Sequence, residues 1–141
     1  MAKILGLDVG DSTIGVAVSD TLGWTAQGVT TIRRKTITRD LHSLRTLIRD
    51  HEVTEVVVGM PLKKNGDLDA QTRKILRFTR LLRSTFHLPV TTWDERFSTV
   101  AASKALERGN VTKKKKAALI DKVAAMIILQ SYLDSRNEGG I

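Results

Sequence analysis

A chain of 141 residues with 41% hydrophobic and 27% charged residues has the size and make-up of one globular domain with a substantial core, which excludes a fibrous or disordered protein. The absence of cysteine excludes disulfides and thiolate metal sites, and the longest apolar run, 123–129, is too short to cross a bilayer. Twenty-three Lys and Arg against fifteen Asp and Glu leave a formal charge of +8, which favours a polyanionic partner such as nucleic acid.

The chain enters a strand at once, without a signal-peptide pattern, so a cytoplasmic location and no membrane partner are expected. That first element is Lys3-Ile4-Leu5-Gly6-Leu7-Asp8-Val9, closed by Gly10. Side chains alternate along a strand. Leu5, Leu7 and Val9 therefore share one face, and Ile4, Gly6, Asp8 and Gly10 share the other. Asp8 stands between two glycines, where bulk is missing and a ligand can approach. A lone buried carboxylate costs several kcal/mol unless it is paired or binds a metal. Taken by itself, Asp8 reads equally well as a turn aspartate capping residues 10–13.

After the turn Gly10-Asp11-Ser12, a second strand over about 13–19 pairs antiparallel with the first, because the linker is short. Asp20 ends it, and a third strand over about 27–32 completes a meander. This opening resembles both the first hairpin of ribonuclease H-like nucleases and the phosphate-binding hairpin of the actin and sugar-kinase ATPases. The latter close two lobes around a nucleotide, for which this chain is short.

The basic run Arg33-Arg34-Lys35 leads into a helix over about 38–51, where Leu41, Leu44, Leu47 and Ile48 recur at helical spacing. Val56-Val57-Val58 marks a buried strand over about 55–59, parallel to the first because a helix precedes it. The polar loop that follows carries Lys63 and Lys64 at the carboxyl end of that strand, where ligands of α/β sheets tend to sit. The next helix, about 69–86, buries Ile75, Phe78 and Leu82 and is otherwise basic, with Arg73, Lys74, Arg77, Arg80 and Arg83. A few of these could track a phosphate backbone. His87-Leu88-Pro89 stops it, a last strand takes 90–93, and Asp94-Glu95-Arg96 sits at its end. In an extended chain only one of the two adjacent acids can share the side of Asp8.

Ser98 is a good N-cap for a helix ending before Gly109. The four lysines Lys113, Lys114, Lys115 and Lys116 repel one another and predict a mobile loop over 109–116, able to clamp a phosphate backbone. A final helix over about 117–135 is apolar around most of its girth yet contains Asp121, with Ala117 and Ala125 one turn to either side. Those small neighbours let it approach a sheet closely; alternatively Asp121 serves only the helix dipole. Residues 137–141 read as a flexible tail, leaving 1–136 as the single domain.

Three carboxylates thus come from the first strand, the end of the last strand and the closing helix. Two-metal phosphodiester hydrolysis needs carboxylates that hold hard cations roughly 3.5–4 Å apart. Magnesium or manganese accepts such oxygen ligands, and no role falls to His42, His51 or His87.

Leu5-Gly6-Leu7-Asp8-Val9-Gly10 with Gly15-Val16-Ala17-Val18-Ser19-Asp20 resembles the opening motif of the YqgF/RuvX family. Val58-Gly59-Met60-Pro61-Leu62, Asp94-Glu95-Arg96-Phe97-Ser98-Thr99 and Asp121-Lys122-Val123-Ala124-Ala125 resemble its three later motifs, in order. The resemblance implies a ribonuclease H-like α/β fold: a mixed five-stranded sheet, order 3-2-1-4-5, strand 2 antiparallel, with helices on both faces. It also implies a nuclease centre at Asp8, Glu95 and Asp121. Asp8 would bridge two Mg2+ or Mn2+ ions, with Glu95 and Asp121 each completing one. Asp11, Asp20 and Asp94 are reserve acids. Lys63, Lys64, Arg96, Lys122 and Lys113 to Lys116 would grip phosphates. Family members are described as Holliday junction resolvases and as nucleases maturing the 5′ end of small-subunit ribosomal RNA precursors. The substrate expected here is structured RNA first and branched DNA second, with a non-catalytic RNA-binding factor as the third reading. The chain is expected to be a monomer or weak dimer.

Overall fold

The structure, a computed structural model, describes residues 2–61, 69–95 and 113–139, with side chains of the last segment described over 119–137. Lys63, Lys64, Arg96 and the helix expected after Ser98 lie outside the described residues. Five strands form one sheet: β1 (Lys3–Val9), β2 (Thr13–Ser19), β3 (Ala26–Arg33), β4 (Val53–Met60) and β5 (Val90–Asp94). Their order is β3-β2-β1-β4-β5, with β2 antiparallel to both neighbours and β4 parallel to β1 and β5, as the resemblance implied.

The helices α1 (Ile37–Asp50) and α2 (Ala70–Phe86) cover one face. Leu5, Leu7, Val9, Val56 and Val58 point there and pack with Leu44 of α1 and Ile75, Phe78 and Leu82 of α2. Burying each such side chain contributes about 1.5–3 kcal/mol. His87 caps α2 in the left-handed conformation, φ 55°, two residues before Pro89.

The other face belongs to α3 (Lys113–Gly139). Ala124, Ala125, Ile128, Leu129 and Leu133 press onto Ala17 and Val57. Val57 thus faces one side while Val56 and Val58 face the other, which is why residues 56–58 form an unbroken apolar run. Trp93 fastens the β5 edge to the same helix: its Nε1 donates to Ser131 Oγ at 2.9 Å, and its ring meets Tyr132 edge-on at 5.5 Å. Among the described residues no helix is long and apolar enough to cross a membrane.

Two boundaries differ from expectation. The four lysines open α3 rather than forming a loop. Lysine is a good helix former, and in a run of four only one pair is spaced by three, so repulsion costs only a few tenths of a kcal/mol. The same helix continues through Asn137 to Gly139, where a tail was expected, and Asn137 Nδ2 donates to the Gly23 carbonyl at 3.1 Å.

The α3 face of the sheet is floored by glycine. A Cβ on Gly6 would stand 2.7 Å from Leu129 Cβ, and one on Gly59 would stand 2.4 Å from Ile128 Cδ1. On Gly15 it would stand 1.9 Å from the Asp121 carbonyl oxygen. Cβ atoms essentially never come that close to other heavy atoms, so the missing side chains are what allow the helix to seat.

Candidate active site

Asp8 lies at the carboxyl end of β1 and is 6% exposed. It shares the α3 face with Gly6 by strand alternation, and its partner across the ladder is Gly15. Because Gly15 is covered by the backbone of Asp121, the glycine brings the first strand and the closing helix together beside Asp8. Asp121 is 7% exposed. It sits two turns inside α3, beyond the reach of the helix dipole, which fades within the first turn. The dipole reading of Asp121 therefore fails, and another reason for a buried carboxylate is needed.

Part of that reason is Thr13, which sequence reasoning missed. Its Oγ1 donates to Asp121 Oδ2 at 2.5 Å, reaching from the first residue of β2 across 108 positions of sequence. The Gly10 N–H donates to the Thr13 carbonyl at 2.8 Å, so the tight turn after Asp8 sets the hydroxyl in place. Thr13→Val is expected to lower about tenfold the turnover of a reaction that uses Asp121, the loss of one hydrogen bond to a charged group, while Thr13→Ser restores it. Steady-state kinetics of the two variants check this.

Of the adjacent pair at the end of β5, the structure turns Glu95 toward α3. Its Oε1 lies 2.9 Å from where a Gly59 Cβ would stand, beside Ile128. Asp94 pairs with Met60 in the ladder and alternates to the opposite side from Trp93. Asp8, Glu95 and Asp121 thus share one face at one end of the sheet.

The other named residues are placed differently. Asp11 is exposed in the β1–β2 turn, 3.5 Å from Lys74 Nζ on the α2 side. Asp20 is at the far end of β2 and binds its own turn, accepting from the Trp24 N–H and from Thr25 Oγ1, both at 2.9 Å. The Trp24 N–H foremost holds its carboxyl below the usual range. A role for Asp20 beside Asp8 is thereby corrected: the turn it stabilises lies about five strand positions away, on the order of 16 Å. Lys122 lays its aliphatic stem on Gly28 of β3, where a Cβ would stand 2.8 Å from its Cγ.

The donors on the α3 face are all oxygens, which suits a hard divalent cation. His51 and His87 cap the carboxyl ends of α1 and α2, away from these acids. Among the described residues no three His, Cys, Asp or Glu side chains form a ready-made metal cage. Magnesium does not demand one: it keeps several waters and takes one or two carboxylates together with substrate phosphate. The residues present therefore fit the ion through its donor chemistry.

Residues 2–135 match the sequence model of a family described as RuvX, Holliday junction resolvase. A relative from Desulforamulus reducens, named "Putative pre-16S rRNA nuclease", is 51% identical over 133 residues, covering 94% of this chain and 97% of the relative. A relative of the same name from Heliobacterium modesticaldum is 48% identical over 134 residues, covering 95% and 90%. Among solved structures, Thermus thermophilus RuvC in complex with a Holliday junction substrate matches with a TM-score of 0.60, over 97% of this chain and 96% of that one, at 14% identity. That likeness is one of fold, and the architecture is ribonuclease H-like.

Proposed function

The chain belongs to the RuvX family, and from that premise we propose that it is a metal-dependent endonuclease that trims the 5′ end of precursor 16S ribosomal RNA in the cytoplasm. One observation carries the reading: Asp8, Glu95 and Asp121 come from three distant segments and lie on the same glycine-floored face. Buried carboxylates are costly unless something compensates their charge.

In this reading the three acids hold divalent ions, with Asp8 set between the other two. When bound, such ions lower the pKa of water and neutralise charge on the leaving oxygen. The chain supplies the positioning. Thr13 fixes Asp121 Oδ2, Gly59 makes room for the Glu95 carboxylate, and the β1–β2 ladder holds Asp8. The basic surface draws the polyanion toward the cleft.

RNA is preferred as substrate because the relatives at about half identity over nearly the whole chain bear a pre-16S nuclease name. The description of the family model favours a second reading, resolution of four-way DNA junctions. That activity needs two symmetric sites and hence a dimer.

The test sets precursor 16S RNA against a four-way DNA junction, in magnesium and in manganese, with the Asp8→Asn protein beside each. The expected result is cleavage of the RNA, no cleavage with chelator, and recovery on adding either ion. Symmetric cutting of the junction by a protein that sediments as a dimer would replace the RNA reading. Tight RNA binding without cleavage in any divalent ion would leave a binding factor.

A further inference from the structure

On the opposite face of the sheet, behind the β1–β2 turn, a cavity of about 440 Å³ opens between the amino-terminal halves of α1 and α2. One wall is Arg34, and it is rigidly built. Its Nε meets Asp40 Oδ2 at 3.1 Å, its Nη1 donates to the Gly10 carbonyl at 2.8 Å, and its backbone N–H donates to the Ser12 carbonyl at 2.8 Å. Its guanidinium also lies 4.9 Å over the Phe78 ring. Asp40 is buried and offsets this charge, so Arg34 acts as a girder rather than a free cation.

The rim carries three more cations: Lys35, Lys74 and Arg77. Lys74 approaches Asp11 at 3.5 Å, an exposed pair of little energetic weight. Lys35 and Arg77 have no ion-pair partner among the described residues. The floor is apolar, with Ile75 and Phe78 buried beneath and Ile37 46% exposed at the edge. A cationic rim beside the exposed apolar edge at Ile37 suits a nucleotide backbone, whose phosphate takes the rim and whose sugar takes the edge.

The basic residues of α2 are not equivalent. Arg83 is committed to the Val90 carbonyl, which it reaches at 2.7 and 3.1 Å. Arg73 and Arg80 do not line the cavity; Lys74 and Arg77 do. The cavity also includes Val9, Gly10 and Asp11, within one to three residues of Asp8. A strand that crossed the turn from the α3 face would reach this cavity at Asp8's own turn, so the cavity and the acids can serve one backbone.

We propose that this cavity is a second subsite, binding the backbone of single-stranded nucleic acid adjacent to the bond cut at Asp8; this rests on the nuclease reading. Its test is binding rather than cleavage. Fluorescence anisotropy of a labelled single-stranded RNA, with chelator present, compares the full chain with two doubly substituted proteins. Lys35→Gln/Arg77→Gln is expected to raise Kd about tenfold at about 0.1 M salt and to lower the salt slope by about 1.4, as two lost phosphate contacts on a single strand require. Arg73→Gln/Arg80→Gln removes the same charge from outside the cavity and is expected to raise Kd less than about threefold.

Equal losses in the two proteins would show a general charge effect and overturn the subsite. So would inorganic phosphate or a mononucleotide binding to the unaltered chain as tightly as the RNA, which would mark a small-ligand pocket. Cleavage is scored separately. Cavity-dependent binding without cleavage in any divalent ion sinks the nuclease and leaves a nucleic-acid groove standing.

Discussion

Asp8→Asn protein is expected to fold at least as well as the unaltered chain and to cleave precursor RNA more slowly by about 10³-fold or more. The substitution keeps the shape and removes one charge. A carboxylate only 6% exposed carries a desolvation cost that an amide largely escapes, so the melting temperature should hold or rise. Catalysis should suffer because an amide is a poor ligand for a hard cation, and a loss of about 4 kcal/mol in transition-state stabilisation corresponds to about 10³ in rate. Thermal melts and single-turnover cleavage measured on one preparation check both halves. A variant that melts normally and cuts normally would remove Asp8 from the chemistry.

Gly15→Ala is expected to be the most damaging single-methyl change in the sheet. Its Cβ would stand 1.9 Å from the Asp121 carbonyl oxygen and 2.5 Å from the carbonyl carbon, and backbone atoms cannot swing aside. Helix α3 must lift by about 1 Å or more, at a cost of about 3 kcal/mol, the upper part of the usual range for overpacking. That should lower the melting temperature by on the order of 10 °C. Protein still folded in the cold should cleave about a hundredfold more slowly, because a displacement of that size misplaces Asp121. Gly28→Ala is the control. Its Cβ meets only the flexible stem of Lys122, so it should cost far less. Calorimetry of both variants, with cleavage at low temperature, separates clash from the generic effect of losing a glycine.

Much of this arrangement was legible in the residues. The alternation of β1 put Asp8 on the glycine side, and the valines of β4 showed a strand covered on both faces. Ala117 and Ala125 around Asp121 announced a helix that comes close to a sheet. What stayed hidden depends on contacts between distant segments. Nothing local in Thr13 points to an acid 108 positions away. Nothing in Arg33-Arg34-Lys35 shows that Asp40 takes the side chain of the middle residue and only the backbone N–H of the last, whose side chain lines a cavity rim. The choice between Asp94 and Glu95 depended on strand phase, which an adjacent pair does not reveal. The lysine run was misread because local repulsion was set above the stability of the helix that follows it.

The two buried acids of the cleft belong to the first strand and to the closing helix, and Thr13, beside the first, reaches the second. In translation Asp8 is made before Glu95 and before α3, which carries Asp121. On the proposed reading, a partial chain that lacks α3 holds Asp8 without Asp121 and has no means of cutting. The proposed ability to cut would then arrive only when α3 docks and brings Asp121 to Thr13.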